Sequence, residues 1–188
     1  MTSRRRPRWS APEPPATGAA AVDPEPDPEQ VARSIALRLL TGAPRSRHQL
    51  AEAMARRGVP DDVVTRVLDR FTEVGLIDDA EYARMLVRAR RESRGLARRA
   101  LAVELRRKGI DDETAAAALD EVDPESEEEV ARALLRRRWR TDVAPDVQAR
   151  RALAMLARKG YPPGLSRRLV AEMRDDGDLP AGVAGDEE

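Results

Sequence analysis

The groups on this chain best suited to chemistry are guanidiniums, and they are bunched. Arg84, Arg88, Arg90, Arg91, Arg94, Arg98, Arg99 and Arg106 crowd one stretch, and Arg136, Arg137, Arg138 and Arg140 form a second. The formal net charge is zero, from 34 basic and 34 acidic residues, so the pattern is segregation rather than excess. From Arg84 to Lys108 only Glu92 and Glu104 oppose ten cations, whereas Asp111 to Glu129 holds ten acids and no base. A planar guanidinium binds phosphate or carboxylate through paired hydrogen bonds. A surface rich in such groups suits a polyanion or an acidic protein groove. Internal pairing of the basic and acidic blocks is the competing use. For Arg57, Arg107, Lys108 and Lys159, beside helix-ending glycines, satisfaction of the last helical carbonyls is the preferred reading. Arg90, Arg91, Arg94, Arg98 and Arg99 crowd a loop and helix start, where cations oppose the helix dipole. For these, partner binding is preferred. The excess of arginine over lysine follows the Ala- and Pro-rich composition of a GC-rich genome and carries no weight.

Other chemistries find little material. The chain has no cysteine, which excludes disulfides, thiolate metal sites and cysteine nucleophiles. His48 is the sole histidine, so His-pair metal sites and most catalytic triads are excluded, and its place in a first helical turn predicts a solvated side chain. No phosphate-binding GxxxxGK[ST] loop occurs. The carboxylates lie in solvated runs such as Asp111-Asp112-Glu113, where they complement a helix start. No catalytic, cofactor-binding or metal residue is assigned, and a non-enzyme is expected. The aromatics are Trp9, Phe71, Tyr82, Trp139 and Tyr161, and Phe71, Tyr82 and Tyr161 fall at core-like positions. Base stacking has no platform here, so any nucleic-acid contact is expected through phosphates. No apolar run approaches the roughly 20 residues that span a bilayer. Arg4, Arg5, Arg6 and Arg8 precede Pro and Glu rather than an apolar signal segment. A cytoplasmic protein without membrane contact is the expectation.

The elements that must carry these arginines are legible from three glycines. Gly58, Gly109 and Gly160 are 51 residues apart, and each follows an apolar residue and a basic pair and precedes an apolar residue. Self-similarity at fixed spacing signals tandem copies of one unit. Apolar residues between them recur at helical spacing. In the first copy, Asp27-Pro28 opens a helix through Val31, Ile35 and Leu39. Ser46 to Gln49 forms a capping box for a second helix through Leu50 and Met54, and Pro60-Asp61 opens a third through Val63, Val67 and Phe71. The second copy runs through Tyr82–Leu86, Leu101–Leu105 and Thr114–Leu119, with Leu101, Leu105 and Ala97 on the apolar side and Arg98, Arg99 and Arg106 together on another. The third copy starts at Asp123-Pro124 and carries three extra residues in its first loop, around 141–145. The fold class is all-α: three tandem three-helix modules in an elongated, right- or left-curving array. The boundaries are a disordered Pro-rich tail at 1–26, modules at 27–77, 78–122 and 123–176, and an acidic disordered tail at 177–188. Glu104 falls in an apolar sector, so an arginine from a neighbouring module is expected beside it.

Gly75-Leu76-Ile77-Asp78-Asp79-Ala80-Glu81-Tyr82-Ala83, then Arg94-Gly95, then Leu105-Arg106-Arg107-Lys108-Gly109-Ile110, resembles the RecX family of bacterial recombination regulators. Arg45-Ser46, Leu50 and Gly58 agree, and the resemblance covers about residues 30–175. It implies the same three-module fold. It also implies binding to RecA recombinase filaments on DNA, in their groove, with inhibition of ATP hydrolysis, strand exchange and stimulated repressor cleavage in recombination, DNA repair and the SOS response. The expected partners are the RecA filament and DNA phosphates, the expected state a monomer. The proline-rich N-terminal extension departs from the compact family pattern.

Two other classes remain open. A direct duplex-binding regulator would use the second helix, glycine turn and third helix as a helix-turn-helix. A generic helical scaffold would affect neither DNA nor recombinase. Within the RecX-like reading, reversing charge at Arg94, Arg98 and Arg99 is expected to weaken filament binding without loss of helicity.

Overall fold

The computed structural model describes residues 27–140 and 142–178. The described residues form nine helices. The first trio is α1 (Pro28–Gly42), α2 (Arg47–Ala55) and α3 (Asp61–Glu73). The second is α4 (Asp79–Arg94), α5 (Arg98–Arg107) and α6 (Asp112–Asp120), and the third is α7 (Pro124–Arg138), α8 (Pro145–Arg158) and α9 (Pro163–Asp178). No strand occurs among the described residues. The expected terminal tails fall outside them, except that α9 runs through Asp178, two residues past the expected module end.

Five of the helices, α1, α2, α4, α6 and α7, begin where short polar side chains satisfy the otherwise unpaired first N–H groups. An Asp27 carboxylate oxygen accepts from the Glu29 amide at 3.1 Å, with Pro28 pre-set at the first helical position. Ser46 and Gln49 form the expected reciprocal box, the Ser46 Oγ accepting from the Gln49 amide and the Gln49 Oε1 from the Ser46 amide. Asp78, Asp111 and Asp123 cap α4, α6 and α7 in the same manner.

Each trio closes over its own apolar cluster. Leu50, Met54, Leu68 and Phe71 lie in the first, Leu86, Leu101, Leu105 and Leu119 in the second, and Leu135, Leu156, Tyr161 and Leu169 in the third. One small residue breaks the partition. Ala97, expected on the core side of its own module, is fully buried in the third module's cluster.

That exception marks how the modules dock. The Ala97 amide donates to the Lys159 carbonyl at 2.9 Å, and 51 residues earlier the Ser46 hydroxyl donates to the Lys108 carbonyl at 2.5 Å. In both junctions the end of one module's middle helix seats on the start of the preceding module's middle helix. The chemistry adapts to the capping residue. The Ser46 amide is occupied by Gln49, so its hydroxyl makes the bond; Ala97 has no side-chain cap and its amide makes the same bond. The Arg47 backbone N–H donates a hydrogen bond to the Asp79 carboxylate at 2.8 Å, and the Tyr161 hydroxyl donates to the Gly95 carbonyl at 3.1 Å. Burial pushes the Tyr161 hydroxyl up to about 12, so it remains a donor at neutral pH.

The 51-residue glycines therefore do two jobs. All three adopt left-handed backbone, with φ of 73°, 72° and 87° at Gly58, Gly109 and Gly160. A Cβ on Gly58 would enter open space, whereas one on Gly109 would collide with His48 and one on Gly160 would lie 2.6 Å from the Ala100 amide nitrogen. Gly109 and Gly160 are also required by close approach.

The third module differs at the equivalent receptor position. The α7–α8 connection spans 139–144, and α8 begins a turn earlier than α2 or α5, with Pro145 inside the helix. Gln148, in register with Ser46 and Ala97, is buried, and its side-chain amide donates to the Arg138 carbonyl at 3.2 Å. The receptor is filled from within its own module.

Gly58→Ala is expected to cost about 1 kcal/mol of stability, the strain of a left-handed L-residue. Gly160→Ala adds overpacking against a rigid backbone and is expected to cost about 3 kcal/mol in total. Urea unfolding of the two variants measures the difference; equal losses would show that the second junction does not depend on close approach.

Candidate functional site

Building outward from the twelve candidate arginines, the structure divides them by what they already hold. Arg84 and Arg88 both reach Glu81 at 3.1 Å, on a stretch of α4 outside the grooves described below. The Arg90 Nε donates to Glu104 at 2.6 Å, and Arg94 lies 3.5 Å from the same carboxylate. Glu104 thus finds its partners within its own module, across α4 and α5, and not in a neighbour. The reason is the helix crossing: α4 lays its last two turns along α5. The Arg91 guanidinium donates to the Ser126 hydroxyl at 2.7 Å and ties α4 to α7. Arg106 stands 3.6 Å from Asp112 with both side chains well exposed, a pairing of little energetic weight. Arg140 pairs with Asp142 at 2.7 Å through two parallel bonds.

Arg98 has a structural task. It donates to the Leu119 carbonyl at 2.8 Å and pairs with Asp120, which closes the C-terminus of α6. It does not stand with Arg99 and Arg106, because α5 turns three rows of its surface to different neighbours. Arg98 faces the end of α6, and Arg106 faces Asp112. Arg99, Val103 and Arg107, spaced four apart, line an open groove.

Among the described residues, thirteen arginines have no carboxylate within 4.0 Å. Seven of them, Arg91, Arg99, Arg107, Arg137, Arg138, Arg151 and Arg158, line three shallow grooves around the junction of the second and third modules. Arg94, Arg99, Arg107 and Arg158 ring the first, over Ala100, Val103 and Pro163. Arg91, Arg94, Arg137, Arg138 and Lys159 ring the second, over Val130 and Leu134. Arg137, Arg138, Arg140, Arg151 and Arg158 ring the third, over Leu135, Trp139 and Met155. Arg94 is common to the first two, Arg137 and Arg138 to the last two, and Arg158 closes the circuit. The result is one basic surface with apolar floors.

The local field is positive enough to act on its own members. Partial burial and the nearby Arg138, Arg137 and Arg94 hold the Lys159 ammonium below its ordinary value. Its Nζ also donates to the Arg94 carbonyl at the end of α4.

Of the twelve arginines, Arg91, Arg94, Arg99, Arg137, Arg138 and Arg140 are brought together. Arg84, Arg88, Arg90, Arg98, Arg106 and Arg136 are not part of the grooves. Arg107, Arg151, Arg158 and Lys159 were not singled out as partner-binding residues by sequence. Arg107 and Arg158 are 51 apart, so the repeat itself held the signal; what was missing was the docking that turns both toward one side. No group of three or more metal-ligating side chains occurs among the described residues. Nor is any described helix long and apolar enough to cross a membrane.

A tandem array of three-helix modules with a cationic surface across one junction defines a class of helical repeat protein. The comparisons make the class particular. Family models for the first, second and third three-helix domains of RecX match residues 32–71, 78–119 and 125–170. Regulatory protein RecX of Thermobifida fusca is 54% identical over 143 residues, covering 75% of this chain and 77% of that protein. Those of Streptomyces coelicolor and Mycolicibacterium smegmatis are 47% and 46% identical, covering 82% and 91% of this chain and 83% and 94% of theirs. The crystal structure of RecX from Lactobacillus salivarius superposes with a TM-score of 0.69 at 20% identity, over 78% of this chain and 97% of that one. The chain belongs to the RecX family.

Because Arg98 holds α6 while Arg99 holds nothing, the two neighbours are expected to behave oppositely. Arg98→Ala should lower stability by about 1 kcal/mol, the scale of a partly exposed charged hydrogen bond. Arg99→Ala should leave the thermal midpoint unchanged. Parallel thermal melts decide, and an equal drop in both would assign Arg99 a structural partner.

Proposed function

We propose that this chain is a non-enzymatic modulator of RecA recombinase that binds RecA–DNA filaments and lowers their ATPase, strand-exchange and coprotease activities. In this reading it acts as a cytoplasmic monomer in recombination, DNA repair and SOS regulation. The observation that carries the site is the basic surface spanning the second and third modules, whose arginines mostly lack internal partners. Family membership supplies the partner. Unpaired guanidiniums over apolar floors suit a rigid object carrying regularly spaced anions, through DNA phosphates or acidic residues of the filament.

The helix-turn-helix alternative is disfavoured by charge. In that mode the start of the last helix enters the groove. Here α3 opens with Asp61-Asp62 and α6 with Asp112-Glu113, which repel phosphate; α9 has no acid in its first turn, so the charge argument applies to the first two modules.

The deciding assay is single-stranded-DNA-dependent ATP hydrolysis by RecA from the same cell, with this protein titrated from far below stoichiometric. Inhibition is expected at substoichiometric amounts. The variant Arg94→Glu/Arg99→Glu/Arg137→Glu/Arg138→Glu should need at least about tenfold more protein for the same effect, while Arg84→Glu/Arg88→Glu should act as the parent chain does. No change in rate at equimolar parent protein, with filaments present, would sink the proposal. Equal loss in both variants would move the site off the junction.

A further inference from the structure

The third groove has chemistry that the rest of this chain can match. Its floor is apolar, with Leu135, Ala152, Met155 and the half-buried Trp139, and its rim carries Arg137, Arg138, Arg151 and Arg158 besides the paired Arg140. No acidic residue lines it. The sequence continues past α9 as Leu179-Pro180-Ala181-Gly182-Val183-Ala184-Gly185 and then Asp186-Glu187-Glu188. That is an apolar run followed by three acids with no base, the complement of an apolar floor with a cationic rim.

Arg174, about one turn before the end of α9, pairs with Asp146 at 3.2 Å, which places the last part of α9 near the first turn of α8. Gln148 and Arg151, which line the groove, lie about half a turn and one and a half turns further along α8. Ten residues span at most about 33 Å when extended. The α8 edge of the groove, from Gln148 to Arg158, is about 15 Å long at helical rise. The segment therefore reaches, even after passing around the start of α8. A tethered ligand of this length acts at an effective concentration near millimolar, so weak intrinsic affinity suffices.

We propose that Leu179–Glu188 docks in the groove between the end of α7 and α8 and competes there with the polyanionic partner. The docking half stands on this geometry; the competition half rests on the proposed function above. Arg137, Arg138 and Arg158 also belong to the neighbouring grooves. A docked tail therefore neutralises the shared side of the basic surface, and a filament must displace it to bind. The chain regulates its own access.

Trp139 provides a reporter, once Trp9→Phe removes the other indole. In that full-length background, compare the parent tail with Asp186→Asn/Glu187→Gln/Glu188→Gln, reading Trp139 emission and affinity for a 30-residue oligo-dT by anisotropy. The expected result is a shift in Trp139 emission and about three- to tenfold tighter oligonucleotide binding, the gain from freeing a mostly occupied site. Arg138→Gln/Arg151→Gln in the parent background should reproduce the emission shift. Tighter binding with unchanged Trp139 emission would mean long-range repulsion and overturn docking. An emission shift with unchanged affinity would overturn competition. Oligonucleotide binding by neither form would also overturn competition for a phosphate ligand, while Trp139 would still decide docking. Neither reading uses RecA, so failure of the filament assay is separable from failure here.

Discussion

The structure depends on one repeated contact: a middle helix ends in left-handed glycine, and the carbonyl just before that glycine accepts a hydrogen bond from the preceding module. Lys108 and Lys159 offer these carbonyls; Ser46 and Ala97 answer them. One such bond contributes about 1 kcal/mol net, too little to hold two modules by itself. Its importance is geometric. It brings backbone against backbone so closely that a Cβ at Gly160 is excluded. That approach buries Ala97 in the next module's core and brings the ends of α4, α5, α7 and α8 together. Because the principal helix packings all fall within trios, these small junctions alone fix the relative placement of three otherwise self-sufficient cores.

The same docking explains why cations gather where they do. Helix C-termini carry partial negative charge, and a basic pair before the glycine is favourable in any one module. Docking then superimposes several such ends. Arg107, Arg158, Lys159, Arg137 and Arg138 are each reasonable locally, yet together they crowd one surface, where partial burial and the nearby Arg138, Arg137 and Arg94 hold the Lys159 ammonium below its ordinary value. The acidic runs do not cancel it, because Asp111-Asp112-Glu113 and Glu125 to Glu129 are committed to helix starts. In particular Glu128 is engaged by Arg132 and Arg168 on α7 and α9. Zero net charge thus coexists with a surface on which cations far outnumber Glu92 and Glu104.

What the sequence disclosed follows from the range of the interactions involved. Capping residues act within four positions and periodicity within a helix, so the helix order, the Ser46–Gln49 box and the core roles of Phe71, Tyr82 and Tyr161 could be read directly. Side-chain partners across helices could not. A helical wheel gives the direction of a side chain but not what stands opposite it, so it places neither Arg90 and Arg94 beside Glu104 nor Asp120 beside Arg98. The row Arg99, Val103, Arg107 carried a usable sign in hindsight. A valine 44% exposed between two unpaired arginines is a poor solvent face and a good groove wall.

The third module departs from the other two at the position that would receive a following module. A repeat that docks on its predecessor leaves one receptor unfilled at its end, and an unfilled receptor is an invitation to a fourth module or to another chain. Here the lengthened connection and the early start of α8 bring Gln148 to the receptor register, where it is buried and bonded to the Arg138 carbonyl. The Gln148 side chain bonds to a carbonyl of its own module, where Ser46 and Ala97 bond to the following one. At the opposite end the Gly58 turn keeps the seating geometry with nothing seated on it. The three extra residues ahead of α8 thus keep Gln148 in the 51-residue register of Ser46 and Ala97 while turning its side chain to a carbonyl of its own module.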